Sequence, residues 1–141
     1  MPDDRGYEFF EHTADVGLKA TGRTLEELFH HAAQGLVELL VEESAISPKE
    51  MRVVTLSAPS VEALLHAWLS ELIVWFDADR FVPGAYAFDE LDETGLRAQV
   101  SGERFDPSRH LHGVEVKGVT RHQFHVTHTG GRWRATLIFD V

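Results

Sequence analysis

Residues 11–20 read EHTADVGLKA and set His12 and Asp15, two side chains able to bind a cation or move a proton, on either side of Thr13-Ala14. The chain ends FDV, so Asp140 is penultimate and its side chain lies within one residue of the terminal carboxylate of Val141. Taken alone, Asp15 reads as an Asx-turn residue and Asp140 as a solvent-facing residue of an edge strand. If the first and last strands bring their ends together, Asp15, Asp140 and the Val141 carboxylate converge. Three negative charges in one spot need a hard divalent cation to offset their repulsion. All-oxygen ligation suits calcium, magnesium or manganese better than zinc or copper. We expect calcium as the bound ion, with magnesium or manganese as alternatives.

Composition removes several other chemistries. The chain has no cysteine, which excludes disulfides, thiolate zinc sites and cysteine nucleophiles. In RHQFHVTH, a helix would put His122, His125 and His128 on one face, a zinc-like cluster. The β-branched neighbours and the Gly130-Gly131 turn predict a strand instead, with His122 and His128 on one side and His125 on the other. That spacing argues against a three-histidine site. His30, His31 and His66 fall near the polar edges of their helices and read as surface residues. His110 and His112, in the loop-like HLH after Pro107, read the same way. GRTLEE lacks the lysine and spacing of a phosphate loop, and no serine follows the nucleophile-elbow pattern.

Charge points to the kind of partner. With 23 acidic and 13 basic residues the formal net charge is −10, which repels phosphate backbones. Direct nucleic-acid binding is therefore not expected, and metal cations or a basic protein partner are.

A chain of 141 residues makes one domain, 1–141, with a core large enough for two layers. Strands are predicted at 7–12 and 16–21, the second alternating Val16, Leu18 and Ala20 against Gly17, Lys19 and Thr21. Thr24 and Glu27 form a capping box for a helix from Leu25 to about Val41. After a loop containing Pro48, a strand follows at 52–58. Ser60 caps a second helix whose stripe runs Val61, Leu64, Leu65, Trp68, Leu69, Leu72, Ile73, Phe76. Strands at 86–91 and 96–101 flank a DETG turn, then come 114–120, 123–127 and 133–141. Two amphipathic helices and this strand set predict an α+β, two-layer domain with the helices on a mixed, mainly antiparallel sheet. MPDDRGYEFF has no positive region leading into an apolar one, so no signal peptide is expected. The longest apolar stretch, 64–76, is broken by His66, Ser70 and Glu71, so no membrane span is expected either. The expected location is cytoplasmic.

YEFFEHTADVGLKATGRTLEELF, LLHAWLSELIVWFD, HGVEVKGVTRHQFHV and GRWRATLIFDV together resemble the archease family, along the whole chain and in the same order. EHTADVG and FDV are the most specific parts. The resemblance implies a small protein partner of the RtcB-type RNA ligase, which seals tRNA exon ends or broken RNA using GTP and manganese. It implies a protein that speeds the ligase's guanylylation and keeps it turning over without joining RNA itself. It also implies a metal site made of the HTAD aspartate, the penultimate aspartate and the C-terminal residue, here Asp15, Asp140 and Val141. The family's VKAVTYH segment corresponds to 116–122, where Lys117 and His122 are retained while Gly118 and Arg121 replace the usual alanine and tyrosine. Lys117 and His122 are expected to face the partner or flank the metal. His12 has the same expectation, or holds Asp15 by a hydrogen bond. Two other readings stand beside this one: a chaperone-like modulator of RNA-modifying enzymes, and a metal-dependent phosphohydrolase.

Overall fold

The apolar alternation at Val16, Leu18 and Ala20 and at Ala135, Leu137 and Phe139 becomes two neighbouring strands. The structure, a computed structural model, describes residues 5–12, 15–42 and 44–141, the His12 side chain excepted. Strand β1 (Tyr7–His12) runs antiparallel to β2 (Asp15–Gly22). The other edge of β2 pairs with β10 (Arg132–Asp140), from Gly22 opposite Trp133 to Asp15 opposite Asp140. Strands β8 (Gly118–Val119) and β9 (His125–Thr129) also pair with β10 and complete a five-stranded sheet.

One helix leads out of this sheet and a second joins two strands of the next. Helix α1 (Leu25–Leu40) starts at Thr24, whose hydroxyl accepts the Glu27 N–H at 3.1 Å. The Glu27 carboxylate accepts the N–H of Arg23, one residue before the cap expected from sequence. Helix α2 (Val61–Asp79) starts at Ser60, which accepts the Ala63 N–H at 3.1 Å, and stops where Arg80 takes a left-handed φ of 58°. Strands β4 (Glu50–Ser57), β6 (Gly95–Arg104) and β5 (Phe81–Leu91) form a three-stranded sheet in that order, and β3 (Val41–Glu42) pairs with β7 (Leu111–His112).

The α+β reading with two helices on a mainly antiparallel sheet therefore holds; every described pairing is antiparallel, and the strands divide into three sheets. The reason lies in the connections. α2 carries the chain from β4 to β5, and β6 inserts between those two strands, so parallel neighbours never touch. Both helices feed one core, in which Leu28, Phe29 and Leu36 of α1 and Leu64, Trp68 and Leu69 of α2 are fully buried. Leu18, Leu137 and Phe139 close it from the first sheet, and Phe81, Ala98 and Val100 from the second. The buried Trp68 indole donates to the Phe29 carbonyl at 3.1 Å, so the core carries a satisfied polar group. No described helix is long and apolar enough to cross a membrane.

Several sequence expectations change here. Strand β5 begins at Phe81 rather than 86 and runs through Pro83-Gly84, with a register shift between Pro83 and Ala85 inside the continuing strand. The strand expected at 114–120 shrinks to Gly118–Val119, and that at 123–127 moves to His125–Thr129 because Gln123 adopts a φ of 56° in a turn. His122 thus lies outside the strand.

The histidines read as surface residues are largely not so. His30 and His31 are half-buried and stack at 5.9 Å, with His30 also 5.2 Å from the Tyr86 ring. Burial and the neighbouring His31 push the His30 pKa below its ordinary 6.5. His66 reaches the Val119 carbonyl at 2.8 Å. His110 is buried, its Nδ1 accepting the Asp106 N–H at 2.8 Å and its Nε2 3.3 Å from the Glu103 carboxylate. An Nδ1 that accepts leaves the ring proton on Nε2, facing Glu103. His112 is exposed as expected.

Glu103 is the centre of this cluster. It is buried and accepts from the Arg109 guanidinium and the Ser47 N–H, with Lys49 at 3.7 Å, so it ties the loop before β4 to the loop after β6. The Arg109 hydrogen bond, which outweighs desolvation, and the Ser47 N–H hold its carboxyl at about 2, against an ordinary 4.5.

Two outcomes follow from this packing. Leu69→Ala should cost ~2–5 kcal/mol in urea unfolding, as a buried large-to-small change; a loss within ~0.5 kcal/mol, as at a surface site, contradicts the core assignment. The folded-state pKa of Glu103 lies below its unfolded value, so its contribution is complete above pH 4.5 and is lost as pH falls toward 2. Glu103→Gln should lower the unfolding midpoint at neutral pH and flatten its decline across that acid range. An acid decline as steep as wild type would show that Glu103 does not govern it.

Candidate metal centre

Strand register alone brings the two candidate aspartates together. Asp15 opens β2, Asp140 closes β10, and the two are directly opposite in an antiparallel ladder. Side chains so placed share a face with Cβ atoms ~4.5–5.5 Å apart, and like charges there repel. Asp140 is exposed and Asp15 half-buried. Val141 follows with its side chain packed against the core, which anchors the chain terminus beside Asp140. On the other edge of β10, Gly118 pairs with Asp140, and the Lys117 N–H donates to the Asp140 carbonyl at 2.7 Å. On the far edge of β2, His12 is in register with Asp15. The placement of the His12 side chain, and of Thr13 and Ala14, lies outside the described residues.

The structure thus gathers Asp15, Asp140, Val141 and Lys117 at one end of the first sheet. His122 sits beyond it, exposed in the turn after β8, where its N–H donates to the Thr120 hydroxyl at 3.0 Å. Lys117 and Arg121 are exposed. A Cβ on Gly118 would meet nothing within 4 Å, so an alanine would fit there and the glycine opens no hole in the core.

One residue of the motif has a role that its sequence did not announce. A Cβ on Gly17 would run into the Phe10 ring, so only glycine lets that ring lie across β2. Gly17 stands opposite Ile138, which is fully buried although it lies outside the main core cluster. Phe10, Gly17 and Ile138 form the row next to His12, Asp15 and Asp140, an apolar floor behind the carboxylates. A glycine between alternating residues of a strand is the available sequence signal for such a close approach.

The donor set fits a hard cation. Two carboxylate side chains on one row, with a chain terminus beside them, offer oxygen ligands at the end of a sheet. Among the described residues no three His, Cys, Asp or Glu side chains form a metal-holding group. The Val141 carboxylate, beside Asp140, is the further oxygen donor that the sequence offers there.

Fold and site define a small antiparallel α+β protein with two carboxylates opposed at the joined ends of β2 and β10. Residues 7–141 match the Archease protein family (MTH1598/TM1083). The chain is 35% identical to the protein archease of Sulfurisphaera tokodaii, over 96% of this chain and 98% of that one. It is 35% identical to that of Methanosarcina mazei over the full length of both, and 38% identical to that of Thermococcus kodakarensis over 97% and 99%. The solution structure of Methanobacterium thermoautotrophicum protein 1598 superposes with a TM-score of 0.81 at 32% identity, covering 97% of this chain and 99% of the other. The crystal structure of an archease, described as a possible chaperone, from Thermotoga maritima shares the fold with a TM-score of 0.67 at 18% identity, covering 94% of each. The chain belongs to the archease family.

If the terminal carboxylate is a ligand, adding residues after Val141 should weaken divalent binding, whereas an N-terminal extension should leave it intact. Asp15→Asn and Asp140→Asn should each weaken it by removing charge while keeping shape. Titration calorimetry with calcium and with manganese measures this, and unchanged affinity in the C-terminally extended protein would remove Val141 from the ligand set.

Proposed function

We propose that this protein activates an RtcB-type RNA ligase, promoting its GTP-dependent guanylylation and multiple turnover in tRNA splicing or RNA repair, and joins no RNA itself. The observation that carries this reading is the register of β2 against β10, which sets Asp15 opposite Asp140 next to the chain terminus, in a chain of the archease family. The net charge of −10 supports it. A ligase must be basic around its RNA channel, and an acidic partner is steered to such a surface.

The strand ends supply an exposed tip. Asp140, exposed and held by pairing on both edges of β10, leads into the ligase active site. Asp15 and the Val141 carboxylate complete the ligand set, and the Val141 side chain keeps the terminus from swinging away. A divalent ion held there would supply positive charge for ordering and neutralising a nucleoside triphosphate. Lys117, exposed beside Asp140, and His122, in the following turn, face the partner in this arrangement. The protein then leaves so that RNA can enter, and substoichiometric amounts serve an excess of ligase. The expected setting is the cytoplasm. A second reading, a chaperone-like modulator of RNA-modifying enzymes, draws on the description of the Thermotoga maritima relative.

The test is formation of the radiolabelled ligase–GMP adduct from GTP by the cognate ligase, with and without this protein. Wild type should accelerate adduct formation at substoichiometric ratios, while Asp15→Ala and Asp140→Ala should not, though folded by circular dichroism. Mutants as active as wild type would remove the carboxylates from the mechanism. If wild type had no effect on adduct formation or turnover, and instead protected unrelated enzymes from aggregation, the second reading would take its place.

A further inference from the structure

The opposite end of the molecule carries a groove that the strand-end carboxylates do not explain. It encloses about 380 Å³ between the edges of the two larger sheets, over the Gln34, Val37 and Glu38 stripe of α1. Tyr7 of β1 forms one side and Tyr86 of β5 the other, with Ile46 and Pro83 as apolar wall. Tyr7 lies at the far end of β1 from His12, ~17 Å away at ~3.3 Å per residue.

Its chemistry is that of a cation receptor. The Tyr7 hydroxyl donates to Glu38 Oε2 at 2.6 Å and so fixes the carboxylate at the groove. Glu38 Oε1 faces a guanidinium of this same chain: Arg5 lies 3.6 Å from it, with Cζ 5.1 Å from the centre of the Tyr7 ring. Tyr86, half-buried, packs its ring on Trp68 and His30 and closes the far wall of the groove. The Tyr7 ring beside one oriented carboxylate suits a planar guanidinium, which stacks and hydrogen-bonds at once as Arg5 does, better than a compact ammonium. An overall charge of −10 favours the approach of such a group.

We propose that this groove receives an arginine side chain from a basic protein segment of a partner, and that Arg5 occupies its mouth until a partner's arginine displaces it. The site is separate from the strand-end carboxylates and would give a partner a second point of attachment.

The experiment titrates the full chain with N-acetyl-arginine amide and, as neutral isostere, N-acetyl-citrulline amide, following backbone amide NMR shifts of Tyr7, Glu38, Gly84 and Tyr86. Arginine should give a saturable response at these positions, with citrulline weaker by roughly tenfold or more, the scale of a charge-assisted hydrogen bond. Glu38→Gln, at a half-exposed position, should lose most of the response. Tyr7→Phe keeps the ring but frees the carboxylate, and should weaken binding less than Glu38→Gln. Arg5→Ala should tighten binding by removing the internal competitor. No saturable response, an equal response to citrulline, unchanged binding in Glu38→Gln, or weaker binding in Arg5→Ala would each overturn the proposal.

Discussion

The antiparallel pairing of β2 with β10 is the interaction on which the rest of the structure depends. It joins the second strand of the chain to the last one, and such long-range closure costs chain entropy that local contacts do not repay. The repayment is the inner face of that pair, where Leu18 sits opposite Leu137 and Ala20 opposite Ala135, all buried against the helices. A slip of one residue would turn every one of these side chains to the wrong face. The apolar rows therefore set the register, and the register in turn sets Asp15 against Asp140.

This order of causes explains how like charges come to face each other in a stable protein. Opposed carboxylates are unfavourable by themselves, and nothing about either aspartate would select that register. The buried rows impose it. The apolar floor of Phe10, Gly17 and Ile138 stiffens the neighbouring row, and Val141 ties the terminus into the core. A chain held this way keeps its carboxylates arranged before any cation or partner arrives, which is the condition for a preorganised site.

Much of this was legible in the residues, and the failures have physical causes. The helices followed from Thr24, Ser60 and their apolar stripes, and the two strands β2 and β10 from their alternation, whereas their pairing entered only as the condition under which Asp15 and Asp140 would meet. Sheet partition was not legible, because alternation shows that a strand is half-buried and does not name its neighbour. The first residues of β5 were missed because their alternation is interrupted by the register shift at Pro83-Gly84 within the strand. His110 resembled an exposed loop residue because its burial depends on Glu103 and Asp106, and its local sequence contains no sign of that cluster. The groove between Tyr7, Glu38 and Tyr86 was invisible for the same reason, since its walls come from elements far apart in the chain.

The central claim is that Asp15, Asp140 and the chain terminus form one cation site at the joined strand ends. Paramagnetic broadening by manganese tests it most directly, because the effect reports distance from the ion residue by residue. Substoichiometric manganese added to labelled protein should first erase the amide signals of Asp15, Lys117, Gly118, Asp140 and Val141. The signals of Tyr7, Glu38 and Glu103 should persist. Broadening that began elsewhere, or that spread evenly over the acidic surface, would contradict the account.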